Sequence, residues 1–68
     1  MQVTTEVVGD AVHEVSLRDD ATYADLLAEL GYSPHEVAVL VDGSPVPEDG
    51  TVTGDRVRVL RLIKGGGA

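Results

Sequence analysis

The sequence contains no cysteine, no tryptophan and no phenylalanine, and Lys64 is its single lysine in 68 residues. Without a thiol there is no disulfide, no thiolate nucleophile and no cysteine-bound zinc. No apolar run approaches the roughly 20 residues that a membrane-spanning helix requires, and no charged-then-apolar leader opens the sequence. We therefore expect a soluble cytoplasmic chain with no membrane partner. Bulky core material is equally scarce. Tyr23 and Tyr32 are the only aromatics, so a core must be assembled from 20 branched aliphatics: 12 valines, 7 leucines and Ile63. A chain of this length buries only about 60% of the surface its unfolded form exposes. That leaves room for one domain and no second core.

Basic residues are the next shortage. Twelve acids face five bases for a net charge of −7, which disfavours direct binding to a phosphate backbone. The charge is also unevenly placed. Residues 1–55 hold all twelve acids and one base, Arg18, for −11; residues 56–68 hold Arg56, Arg58, Arg61 and Lys64 and no acid, for +4. Abundant acids with arginine in four of the five basic positions point to adaptation to high salt.

Gln2 to Val8 and Ala11 to Leu17 are two short β-prone stretches about a Gly9-Asp10 turn, the signature of a hairpin. Thr22 is a suitable helix N-cap, with Asp25 three residues on to complete a capping box. Tyr23, Leu26, Leu27 and Leu30 then recur on one helical face until Gly31 ends the helix. Pro34 after Ser33 starts a single helical turn. Val37–Val41 is a nearly continuous apolar strand stopped by Asp42-Gly43. Ser44–Pro47, with two prolines, suits only a short edge strand. Arg56 to Ile63 is the last strand. The order is β-β-α-β-(short β)-β, one sheet with a central final strand covering one helix. We place the domain at residues 1–64 and a glycine-rich tail at 65–68.

Enzyme constellations are not found. His13 and His35 are far apart and have no thiol companion. Ser16, Ser33 and Ser44 lack the strand–turn–helix elbow of a nucleophile, and no helix follows Gly65-Gly66-Gly67 to make a phosphate loop. The carboxylates are spread out. We expect neither catalytic residues, nor a metal, nor a cofactor. The unusual feature is the C-terminus, where an apolar and basic strand runs straight into three glycines. Glycine lacks a Cβ, so an extended Gly-Gly strip fits a channel in which any side chain would clash.

At these residues the chain resembles ubiquitin and its β-grasp relatives, and more narrowly the small archaeal modifier proteins of haloarchaea. The likeness is carried by Thr22–Leu27, by Ser33-Pro34-His35-Glu36-Val37, by Val39–Gly43 with Pro45-Val46-Pro47-Glu48-Asp49, and by Arg61-Leu62-Ile63-Lys64-Gly65-Gly66. It implies an α+β, ubiquitin-like β-grasp fold with a mixed sheet of four to five strands packed on one helix. It also implies a protein modifier, monomeric and not itself an enzyme. On this resemblance an E1-like enzyme uses ATP to adenylate the carboxylate of Gly66, which follows Gly65. The activated end is joined to target lysines, or converted to a thiocarboxylate that donates sulfur in tRNA thiolation or molybdopterin synthesis; a metalloprotease reverses conjugation. A dedicated sulfur carrier and a β-grasp binding module without tail chemistry stay open as alternatives. Family members usually end at the diglycine, whereas this sequence continues with Gly67-Ala68. Either a peptidase removes the pair, or it is foreign to the native protein.

Strand alternation assigns a docking face. Val37, Val39, Val41, Val57 and Val59 should face the helix, leaving Ala38, Leu40, Arg58 and Leu60 outside. Leu40 and Leu60 then form an apolar spot beside Arg58, with Arg61, Leu62 and Ile63 continuing the partner-binding stretch toward the tail. Lys64 is the expected acceptor for any self-linkage.

Overall fold

The computed structural model describes residues 1–62. Its elements are β1 (Gln2–Val7), β2 (Val12–Ser16), α1 (Tyr23–Leu30), β3 (Val37–Val41), β4 (Ser44–Val46) and β5 (Arg56–Arg61). The five strands form one sheet in the order β2-β1-β5-β3-β4. Among the described residues only β1 and β5 pair in parallel; the other three pairings are antiparallel. The last strand is the middle one, paired with β1 on one side and β3 on the other. This is the mixed sheet on one helix of the β-grasp fold.

The local chemistry of each element explains its limits. Thr22 lies in the extended region, and its Oγ1 accepts from the Asp25 amide at 3.2 Å while the Asp25 carboxylate accepts from the Thr22 amide at 2.9 Å. This reciprocal capping satisfies donors that the first helical turn leaves free. The connection before β5 satisfies two more: the Tyr23 amide donates to the Gly50 carbonyl at 3.0 Å and the Ala24 amide to that of Glu48 at 2.8 Å. At the other end Gly31, with φ 83°, lets the Tyr32 amide return to the Leu27 carbonyl at 2.9 Å. Eight residues are too few for a helix to persist alone. Burial of Tyr23, Leu26 and Leu27 against the sheet holds it.

Val3, Val7, Val15, Val37, Val39, Val57 and Val59 fill the face under the helix, and Val41 is half-buried at its margin. Thr5 occupies the same face, fully buried, and its hydroxyl has no hydrogen-bond partner among the described residues. β1 and β2 are each a residue shorter at the turn than the β-prone stretches, because Val7 to Ala11 close the loop through Asp10 N–H to Val7 C=O at 2.9 Å and Val7 N–H to Ala11 C=O at 3.0 Å. Asp42 and Gly43, with φ of 53° and 81°, make the two-residue turn between β3 and β4. Ser33 to Glu36 form the single turn expected at Pro34, closed by Glu36 N–H to Ser33 C=O at 2.9 Å.

β5 ends at Arg61, short of the expected Ile63. Its pairing with β1 stops at Val7↔Val59 and that with β3 at Val37↔Arg61, so no described strand remains for Leu62 to join. Ile63, the 64/65 domain boundary and the tail lie outside the described residues.

Candidate functional site

The register determines what the outer face of the sheet presents. Across it run Val12 on β2, Glu6 on β1, Arg58 on β5, Leu40 on β3 and Pro45 on β4, each opposite the next. Beside this row Leu60 lies opposite Ala38. Leu40 and Leu60 are therefore diagonal neighbours, a relation of roughly 7–8 Å in antiparallel pairs, with Arg58 and Ala38 at the other two corners. Leu60 is 38% exposed and Leu40 half-buried. Arg58 and Leu60 point away from the helix, as expected from the burial of Val57 and Val59, which alternate with them.

Two parts of this face are not evident from the sequence. Val8 and Val12, 39% and 61% exposed, extend the apolar surface on the hairpin side. Glu6 reaches Arg58 with Oε1 to Nη2 at 3.3 Å, so a carboxylate steadies the guanidinium in the middle of the patch. Both side chains are about half exposed, which limits such a pair to roughly 0–1 kcal/mol. Its effect is to orient Arg58. The parallel pairing of β1 with β5 brings Glu6 there across 52 residues of sequence. Thr4, Glu6, Val12, Leu40, Arg56 and Arg58 border a shallow concavity of about 330 Å³ on this face. Asp42 lines it too, so two carboxylates and two guanidiniums surround its apolar floor.

Of the other expected binding residues, Arg61 separates from this group. Arg61 follows Leu60 and so lies on the opposite face of β5, where its guanidinium carbon sits 5.9 Å from the centre of the Tyr32 ring. Leu62 is 57% exposed, and its amide donates to the Glu36 carbonyl at 2.8 Å. Ile63, Lys64, Gly65, Gly66, Gly67 and Ala68 lie outside the described residues. The Met1 amino group donates to the Leu17 carbonyl at 2.6 Å.

One carboxyl is shifted by its surroundings. The Thr22 backbone amide, helped by its hydroxyl and by the Arg18 guanidinium, holds Asp25 below the usual carboxylate value against some desolvation. The cause is helix capping, not acid–base chemistry. Among the described residues no cluster of histidine and carboxylates has the grouping of a metal site, and no helix is long and apolar enough to cross a membrane.

Residues 1–63 match the family described as small archaeal modifier protein 2. The chain is 65% identical over 66 residues to small archaeal modifier protein 2 of Haloferax volcanii, covering 97% of this chain and 100% of that one. It is 36% identical over 67 residues to an uncharacterized protein of Archaeoglobus fulgidus, again covering 97% and 100%. Its fold superposes on the crystal structure of the H. volcanii small archaeal modifier protein 2 with a TM-score of 0.74 and 64% identity, over 94% of this chain and 97% of that one. With sequence and fold matched over nearly its whole length, the chain belongs to the small archaeal modifier protein 2 family and is a ubiquitin-like protein modifier, not an enzyme.

Proposed function

We propose that the chain acts through the carboxylate of Gly66, adenylated by an E1-like enzyme and then joined to lysines of target proteins. The observation that supports this is the position of β5. It is the central strand of the sheet, it carries Arg58 and Leu60 on the outer face, and the sequence from its end reaches Gly66 in five residues. A partner that docks on this face therefore has the tail within its reach.

A free carboxylate is a poor acyl donor because oxide is a poor leaving group. Attack of a Gly66 carboxylate oxygen on the α-phosphorus of ATP, with loss of pyrophosphate, converts it to an acyl adenylate. A target lysine amine then attacks the acyl carbon, AMP departs and the amine loses a proton. A sulfur nucleophile taking the same adenylate yields a thiocarboxylate, so sulfur transfer shares the first step. Gly67 and Ala68 must be hydrolysed away beforehand where they are present. The modifier supplies the acyl group and the docking face; the activating enzyme supplies the catalysis. Removal of the modifier from its targets falls to a metalloprotease acting on the isopeptide bond.

Lys64 makes the test direct. Trypsin cleaves after it and leaves Gly65-Gly66 on the acceptor lysine of any conjugate. Mass spectrometry of the native host should find this remnant on target peptides, and an intact chain ending at Gly66. A thiocarboxylate would appear as the exchange of one oxygen for sulfur. Chains uniformly ending at Ala68, with no remnant on any lysine, would refute the reading.

A further inference from the structure

The last two described residues lose their neighbours one side at a time. β1 pairs with β5 no further than Val59, apart from the Val8 amide donating to the Val59 carbonyl at 2.9 Å. β3 pairs as far as Arg61. Beyond it Leu62 has one backbone bond among the described residues, from its amide to the Glu36 carbonyl. A strand end held from one side is free to swing. Here a second restraint stands on the helix face of the sheet.

Tyr32 is half-buried and packs on the core. Its backbone is tied down by the helix cap, through its amide to Leu27 and the left-handed Gly31. The Arg61 guanidinium lies over its ring at 5.9 Å, within the range in which a cation is attracted to the π face. Arg61 makes no ion pair among the described residues, although residues 1–55 carry twelve acids. In an acidic chain, the cation next to the exit of the tail rests on an aromatic ring.

We infer that Tyr32 is a positioning residue for tail delivery: with Arg61 and the Leu62–Glu36 bond it clasps the end of β5 and fixes the backbone at Leu62. The use of the clasp rests on the proposed reading of the tail as a substrate of an activating enzyme. A strand end already fixed at Leu62 has less freedom to lose when a partner takes hold of it. The clasp should therefore lower the KM for the modifier in adenylation and leave kcat alone.

The test uses the chain ending at Gly66, in molar KCl where ion pairs are screened. Hydrogen exchange of the Leu62 amide reads the clasp itself. Tyr32→Leu should speed that exchange roughly two- to fivefold, the loss expected for an exposed cation–π contact. Exchange at Val57 should follow only the global stability, and Tyr32→Phe, which keeps the ring, should behave as wild type. Arg61→Gln should reproduce the Leu62 effect from the other side, and it covers the case in which Tyr32→Leu folds poorly. ATP–pyrophosphate exchange with the host's E1-like enzyme reads the use of the clasp. Tyr32→Leu should raise KM by a similar factor at unchanged kcat, with Tyr32→Phe again normal. Wild-type Leu62 protection in both Tyr32→Leu and Arg61→Gln overturns the clasp. Weakened protection with unchanged KM overturns its role in delivery. A wild-type chain that shows the clasp yet supports no pyrophosphate exchange sinks the modifier chemistry, and the delivery role with it, while the clasp stands.

Discussion

Thr5 is the sharpest stability test in the fold. It sits in the middle of β1, with His13 on one flank and Val57 on the other, so its backbone groups belong to the two ladders. Its side chain is 0% exposed, faces the helix beside Val3 and Val7, and carries a hydroxyl with no partner among the described residues. A buried hydroxyl left unbonded costs about 1–3 kcal/mol relative to one bonded to water. Valine has almost the same shape, so Thr5→Val removes that cost without opening a cavity. The methyl it adds contributes up to about 0.8 kcal/mol of apolar burial. We expect a gain of about 1–3 kcal/mol. For a domain of 60–100 residues, each kcal/mol shifts Tm by roughly 4–8 °C. The assay is thermal and urea unfolding by circular dichroism, with an unchanged m-value showing that the same surface unfolds. Thr5→Ser, which keeps the hydroxyl and deletes the methyl, should destabilise. A Thr5→Val protein no more stable than wild type would mean that the hydroxyl is bonded, and the reasoning from burial would fail.

Thr22→Ala should cost about 1 kcal/mol through loss of the N-cap, read as a lower urea midpoint. The folded Asp25 carboxyl titrates below its ordinary value of 3.8, so its contribution is complete above that pH and is lost as pH falls through the folded value; the Tm gap between wild type and Asp25→Asn should close on acidification, and a gap independent of pH would refute the capping account. With −11 over residues 1–55 and Asp25 four residues from Glu29, self-repulsion should be relieved as the Debye length falls from about 10 Å at 0.1 M salt to 3 Å at 1 M. Tm should climb with KCl, and a flat response contradicts the reading of the charge as salt adaptation. Leu40→Glu and Leu60→Glu should each weaken binding to the E1-like enzyme by calorimetry while the chain stays folded; an unfolded Leu40→Glu would instead show that its buried half carries the core. Lys64→Arg keeps the charge and removes the nucleophile, so linkage of the modifier to itself should disappear while conjugation to other proteins continues.

Local and periodic features are legible in the amino-acid sequence by itself. The helix from Tyr23 to Leu30, its Thr22–Asp25 box and its Gly31 cap follow from backbone hydrogen bonding among residues at most four or five apart, which sequence spacing states directly. The inward valines of β3 and β5 follow from the two-residue period of a strand, and so does the outward placement of Leu40, Arg58 and Leu60. Four segments, the last of them ending in the diglycine, suffice to name the family. The hairpin and the central place of the last strand are legible as well, but the registers between strands need the tertiary structure. Alternation tells which face a side chain takes but not its register against a partner. Only the pairing shows Leu40 opposite Arg58 with Leu60 on the diagonal, Glu6 drawn to Arg58, and Val12 at the far end of the same row. The end of β5 is of the same kind. The apolar run continues to Ile63, yet the strand stops at Arg61 because its neighbours have run out of residues to pair. Tyr32 reads in sequence as an ordinary residue after a helix cap. Its meeting with Arg61 depends on where α1 ends above the sheet, a distance that packing between layers decides and that no local pattern encodes.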